Sequence, residues 1–149
     1  MKPRINSILA VLIIWLFANT VARAQTPVPT GELTVLVNGL KSTQGQLVVS
    51  VFRQGDDLFG PPFLQQRLRI AESAQVVTFK ALSFGRYVAF AFHDENNNGI
   101  LDHNWLHLPK EPLGYSNNWH FGVFTGMPTF EKTSFVLSRE NALVTISVR

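Results

Sequence analysis

No stretch of ten or more residues in this chain carries a clear helical stripe, and its apolar residues recur with period two instead. Leu33, Val35 and Val37 alternate with Thr34, Leu36 and Asn38. "LVVSVF" puts Leu47, Val49 and Val51 on one face, and "QVVTFKAL" does the same for Val77 and Phe79. "GRYVAFAFH", from Gly85 to His93, is apolar on both faces and reads as a central strand. "QRLRIA" is a further strand, and "TSFVLS" and "ALVTISV" are two more, joined by a charged turn at Arg139-Glu140-Asn141. β-branched and aromatic residues fill these runs and turn residues bound them, so the expected fold is all-β, an antiparallel β-sandwich of about seven strands.

Two segments depart from the pattern. Pro61 and Pro62 break any regular element in "DDLFGPPFLQQ", leaving a loop with at most one helical turn. Residues 94–130 are rich in Gly, Pro and Asn with little alternation, and hold Trp105, Tyr115, Trp119, Phe121, Phe124 and Phe130. A structureless region of that length in a small domain is more often functional than idle. Its aromatic residues either close the core beneath the loop or stack on a ligand; burial is the commoner fate of such side chains.

The ends and the composition narrow the class. Lys2 and Arg4 precede an apolar run over residues 8–18, and Ala22-Arg23-Ala24 follows as a small-x-small cleavage site. These are the parts of a secretory signal peptide, and the run falls short of the roughly 20 residues that span a bilayer. Residues 1–24 are therefore expected to be removed, with 25–30 as a proline-containing tether and 31–149 as one β-sandwich domain. The expected mature chain has no transmembrane segment and is periplasmic or extracellular. No cysteine stands at the cleavage site to carry a lipid. The signal takes three basic residues with it and leaves ten basic and ten acidic ones, so nucleic-acid binding lacks electrostatic support. The chain has no cysteine, which excludes disulfides, thiol nucleophiles and cysteine metal sites.

The chemistry gathers in "HDENNNGILDHN", residues 93–104. With Asp94 as position one, Asn96 stands at three, Asn98 at five, Gly99 at six and Asp102 at nine. This matches the first half of a calcium loop, in which alternating oxygens converge on the ion, a glycine permits the sharp turn and the next carbonyl, of Ile100, points inward. Position twelve is Trp105 rather than a bidentate glutamate, and a strand rather than a helix precedes the loop, so it is not an EF-hand. Two readings stand side by side: a calcium site formed by Asp94, Asn96, Asn98, Ile100 and Asp102, or a turn capped by its own Asp and Asn side chains. Calcium is the candidate cofactor, and Gly99 is expected at positive φ.

His93, beside Asp94, can be read as a general base or as a buried imidazole holding the loop. In "PKEPLGYSNN", Glu111 can complete a ligand set, and Ser116, Asn117 and Asn118 belong to the same polar stretch. Ser116 has no nucleophile motif around it, so this stretch reads as loop capping before catalysis. His103 and His107 have a spacing that suits a metal only on a helix, which Pro109 disfavours.

The run from Gly85 to Asn118 resembles the signature of domain-of-unknown-function family 2141, a bacterial group of exported proteins. Gly85, Tyr87, His93, Asp94, Asn96, Asn98, Gly99, Leu101 and Asp102 fall on the first part of the pattern. Pro109, Glu111, Pro112, Gly114, Tyr115, Ser116, Asn117 and Asn118 fall on the second. The family's G-P-P-x-F-like continuation is replaced here by "FGVFTGMPTF", and a small residue expected before Ala89 is displaced onto it. The resemblance covers nearly all of the expected mature chain. It implies an immunoglobulin-like or prealbumin-like sandwich and carries no activity with it.

The expected role is an exported binding or structural module with an envelope or extracellular partner, and no catalytic residue is assigned. The alternatives are an envelope hydrolase using His93, Asp94 and Glu111, and a carbohydrate-binding module using Trp105 and Trp119.

Overall fold

In the computed structural model, residues 28–149 are described, apart from 121, 123 and 124. The expected signal peptide and the first half of the tether, residues 25–27, lie outside the described residues. Eight strands and one helical turn follow in order: β1 (Thr30–Asn38), β2 (Gln46–Arg53), β3 (Leu64–Arg69), β4 (Ala74–Ser83), β5 (Gly85–Asp94), β6 (Leu113–Tyr115), α1 (Phe130–Thr133), β7 (Phe135–Leu137) and β8 (Leu143–Ser147). β4, β1 and β8 form one sheet; β3, β2 and β5 form the other, with β6 and β7 sharing the far edge of β5. All pairings between these strands are antiparallel except that of β1 with β8, which is parallel.

The strands read from period two are all present, and the alternation on β1 falls where expected: Leu33, Val35 and Val37 are fully buried. They meet Leu47, Val49 and Val51 of β2, Tyr87, Ala89 and Ala91 of β5, and Ile146 of β8 in a core between the sheets. β5 is buried on both faces because it needs two covers. Val88, Phe90 and Phe92 point away from that core and form a second one with Val48, Phe52, Leu113 and Tyr115, on the outer face of the larger sheet. The segment after β5 is the cover.

Three details depart from the sequence reading. The region 94–130 is not wholly irregular: Leu113–Tyr115 is the eighth strand, antiparallel to Phe90–Phe92. It lies so close to β8 that a Cβ on Gly114 would sit 2.3 Å from the Ser147 carbonyl oxygen. Reciprocal bonds between Leu113 and Arg149 (3.3 and 3.2 Å) join the two sheets there. The "TSFVLS" strand is shorter than its sequence pattern, because Thr133 ends α1 and Ser134 caps it. The "QRLRIA" strand begins two residues earlier, at Leu64. No described helix is long and apolar enough to cross a membrane.

Candidate functional site

β5 delivers His93 and Asp94 to one end of the sandwich, where both are fully buried. Neither reading of His93, general base or buried imidazole holding the loop, brings a carboxylate to it among the described residues: its Nε2 lies 2.7 Å from the Gln44 carbonyl oxygen. An imidazole facing a carbonyl carries its proton on that nitrogen and donates. Nδ1 is then a buried acceptor with no partner among the described residues. Asp94 turns instead into its own loop, accepting from Gln46 Nε2 at 2.6 Å, from the Gly99 N–H at 2.7 Å and from the Asn98 N–H at 3.2 Å.

Glu111 comes to the same loop from the segment before β6. Its two carboxylate oxygens accept the N–H groups of Glu95 and Asp102, each at 3.1 Å, so it clamps both ends of the turn by backbone. Burial pushes the Glu111 carboxyl above its ordinary range; those two N–H groups pull it down, and the neighbouring Asp94 and Asp102 carboxylates add to the rise.

Inside the clamp, Asn96 Oδ1 accepts the Asn98 N–H at 3.0 Å and Asn98 Oδ1 accepts the Ile100 N–H at 2.8 Å, two successive side-chain-capped turns. The Asn96 amide donates to Asp102 at 2.6 Å, and the Asn98 amide reaches both oxygens of Asp102 at 3.2 Å. Positions three, five and nine of the loop motif are thereby brought together, with Asp94 behind them. Gly99 has φ of 76°, as its place in the turn requires. The Ile100 side chain is exposed, and the Arg67 guanidinium lies 3.5 Å from the Gly99 carbonyl oxygen. Among the described residues, no group of three or more histidine, aspartate or glutamate side chains is arranged to hold a metal.

The Ser116-Asn117-Asn118 stretch is structural in its geometry. Ser116 is fully buried; its hydroxyl accepts the Ala89 N–H at 2.9 Å and donates to the Thr133 carbonyl at 2.6 Å, tying β5 to α1. Asn117 and Asn118 hold φ of 59° and 53°, a left-handed pair that asparagine tolerates better than most residues. The Asn117 amide donates to the Lys132 carbonyl. His103 and His107 are on no helix: they lie in a tight turn whose ends meet at a His103–Pro109 bridge, with Asn104 accepting from the Leu106 and Leu108 N–H groups.

Trp105 and Trp119 have different surroundings. Trp105, at the tip of that turn, is 86% exposed. Trp119 is half-buried and packs edge-on against Tyr115, with ring centroids 5.1 Å apart and planes at 88°. One exposed ring and one spent on packing do not form a pair of sugar platforms.

Sequence reasoning missed a cleft. The cover over the second core does not seal it, and a cavity of about 590 Å³ remains between the outer face of the larger sheet and the loops around residues 58–62 and 99–109, with Trp119, Met127 and Pro128 also in its wall. Phe90, Phe92, Tyr115 and Trp119 are among its lining residues. Burial raises the Tyr115 phenol to about 12. The one signal in the sequence was the two-faced apolarity of β5, which demands a cover but does not say how completely it closes.

Residues 35–145 match the model of a family described as an uncharacterized protein conserved in bacteria (DUF2141). No curated protein and no solved structure matches the chain.

Proposed function

The chain belongs to the DUF2141 family, and from that premise and the geometry above we propose that it is an exported, non-catalytic binding module whose Asp94–Asp102 loop takes calcium weakly. Export is supported by the basic residues, the apolar run and the Ala22-Arg23-Ala24 site at the start of the sequence. A binding role rather than hydrolysis is supported by what the three candidate catalytic groups do. His93 and Asp94 are fully buried and Glu111 is 7% exposed, and each is occupied with a loop backbone or an amide. A general base must reach the proton it removes.

The observation that carries the calcium reading is the meeting of Asn96, Asn98 and Asp102 at 2.6–3.2 Å beside Asp94. Turning the two amides about their last torsion would present oxygens in place of nitrogens, and would release the Asn98 and Ile100 N–H groups that those oxygens now accept. With Asp94, Asp102 and the Ile100 carbonyl, the loop would then offer about five hard oxygen donors, near the six to eight calcium takes with water included. The Arg67 guanidinium nearby and the absence of a bidentate acid at Trp105 both lower affinity. A Kd on the order of 10⁻⁴–10⁻³ M follows, in the range of extracellular modules.

Thermal melting of the chain in EDTA and in millimolar calcium tests this. A site of that strength adds about 1 kcal/mol, and Glu95→Ala, whose side chain faces solvent, should keep the increment while Asp102→Ala loses it. Magnesium should substitute poorly, since it holds its waters in a tight octahedron. A melting temperature that does not move with calcium, with no heat of binding in calorimetry, would leave the loop as a self-capped turn.

A further inference from the structure

The cleft on the outer face of the larger sheet has a consistent chemistry. None of the described residues that line it is Asp, Glu, Lys or Arg. Its floor comes from aromatic side chains of β5 and β6: Phe90 stacks on Phe92 (centroids 5.6 Å apart) and on Tyr115 (4.6 Å), and Trp119 closes one side. Tyr115, with its phenol at about 12, adds no charge at neutral pH. The rim is apolar too. Of the eleven large hydrophobic residues exposed among the described residues, five line this one cleft: Phe59, Ile100, Leu106, Leu108 and Met127. Single exposed apolar side chains need no explanation, but a set gathered around one concavity marks a binding site.

We propose that this cleft binds an uncharged, mainly apolar small molecule of roughly twenty non-hydrogen atoms, sized at ~30 Å³ for each water-sized atom. The volume lies in the range of small-molecule sites, which bury most of their ligand. A charged ligand is disfavoured because the described lining holds no carboxylate, lysine or arginine, only polar groups such as those of Ser50, Gln65, His103 and His107, to offset its desolvation. Aromatic faces and an open apolar rim suit a ring system or a folded chain. A ligand of this size, held mostly by apolar contact, gives a Kd on the order of 10⁻⁵ M. The proposal is independent of the calcium loop, which lies at the end of the sandwich and supplies only Gly99, Ile100 and Leu101 to the cleft.

The test is a fluorescence titration of the chain with N-phenyl-1-naphthylamine, an uncharged two-part aromatic probe, carried out in EDTA. Saturable one-to-one enhancement is expected, with the anionic anilinonaphthalene sulfonate at least tenfold weaker. Leu106→Asp and Met127→Asp each place a charge on the rim at exposed positions, where folding is unaffected, and each should weaken the neutral probe about tenfold by the cost of desolvating the new charge. Val136→Asp, equally exposed on β7 and outside the cleft, should leave binding unchanged. Absence of saturation overturns the proposal. So does equal or tighter binding of the anionic probe, or a loss in Val136→Asp that matches the rim variants. Sedimentation with phosphatidylcholine vesicles adds one further arm: retention on vesicles without binding of the free probe would make this face a membrane-docking surface and overturn the small-molecule site.

Discussion

Replacing Asp94 with alanine, and measuring stability in EDTA, separates a carboxylate that builds the loop from one that waits for a metal. The structure gives Asp94 three donors: Gly99 N–H at 2.7 Å, Gln46 Nε2 at 2.6 Å and Asn98 N–H at 3.2 Å, around a fully buried side chain. A hydrogen bond to a charged group contributes roughly 1.5–3 kcal/mol. The Asn98 N–H lies in an exposed turn and retains Asn96 Oδ1 as a second acceptor at 3.0 Å, so it loses little. Counting the Gly99 and Gln46 bonds near the low end gives a loss of about 3 kcal/mol. That is a large fraction of the 5–15 kcal/mol by which domains are commonly stable. Urea denaturation followed by tryptophan fluorescence reads it directly, as a lower midpoint with an unchanged slope. In a thermal scan the same loss is a drop of about 10 °C. Glu95→Ala is the control, an exposed neighbour expected within about 0.5 kcal/mol of the parent. A loss below about 1 kcal/mol in EDTA would refute the reasoning, because the three bonds would then be replaceable by water.

Three further outcomes follow from groups around the same strands. Ser116→Ala removes the hydroxyl that links the Ala89 N–H to the Thr133 carbonyl; with two buried backbone groups losing that partner, it should cost about 2–3 kcal/mol in denaturant unfolding. Gly114→Ala puts a Cβ 2.3 Å from the Ser147 oxygen and 2.9 Å from Ile146 Cγ2, and the forced separation of β6 from β8 should cost roughly 1–3 kcal/mol by the same assay. Glu111 sets a pH dependence: burial raises its folded carboxyl above the ordinary carboxylate range, so the folded state binds the proton more readily. Its contribution is therefore present in full below the unfolded pKa and is lost as pH rises through the folded one. The difference in urea midpoint between the parent chain and Glu111→Gln should shift in favour of the parent as pH falls from neutral toward that window, and a difference that does not change with pH would remove burial as the cause.

The strands were legible where burial is one-sided. β1 shows it best: three valine or leucine side chains fully inside, their three alternating neighbours only half-buried, and a period that only a strand satisfies. β3 was harder, because an edge strand with Gln65, Gln66 and Arg67 has little apolar signal and is fixed by pairing with β2. β6 was invisible. Three residues between Pro112 and Ser116 carry no period, and what makes them a strand is the free edge of β5 on one side and Arg149 on the other. The single turn of α1 was below the length at which a stripe exists, although Thr129 caps it by accepting from Lys132. The loop motif itself could be read from spacing, since the side chains concerned are within nine residues of one another. Its fixation could not: Gln46 lies 48 positions from Asp94, and Gln44 lies 49 from His93. Such partners are set by the register of β2 against β5, which places Gln46 opposite Asp94.

That register also explains why a polar knot and an apolar cleft lie on adjoining parts of one sheet. A strand apolar on both faces cannot end in water without a cover on each, and the first sheet supplies only one. The second cover has to be drawn from the chain that follows β5, so its start must reverse sharply at the strand end. Asp94 and Glu111 perform that reversal by fixing the N–H groups of Glu95, Asn98, Gly99 and Asp102. Once turned, the chain lays Leu101, Leu113, Tyr115 and Trp119 against Val88, Phe90 and Phe92. A cover made of loop rather than of a third sheet packs its side chains at intervals set by prolines and turns, not by a repeating register, and gaps between them are the natural result. The cleft is one of those gaps, and the acids that make the reversal are buried at the turn, so no carboxylate is among the described residues that line the space beyond it.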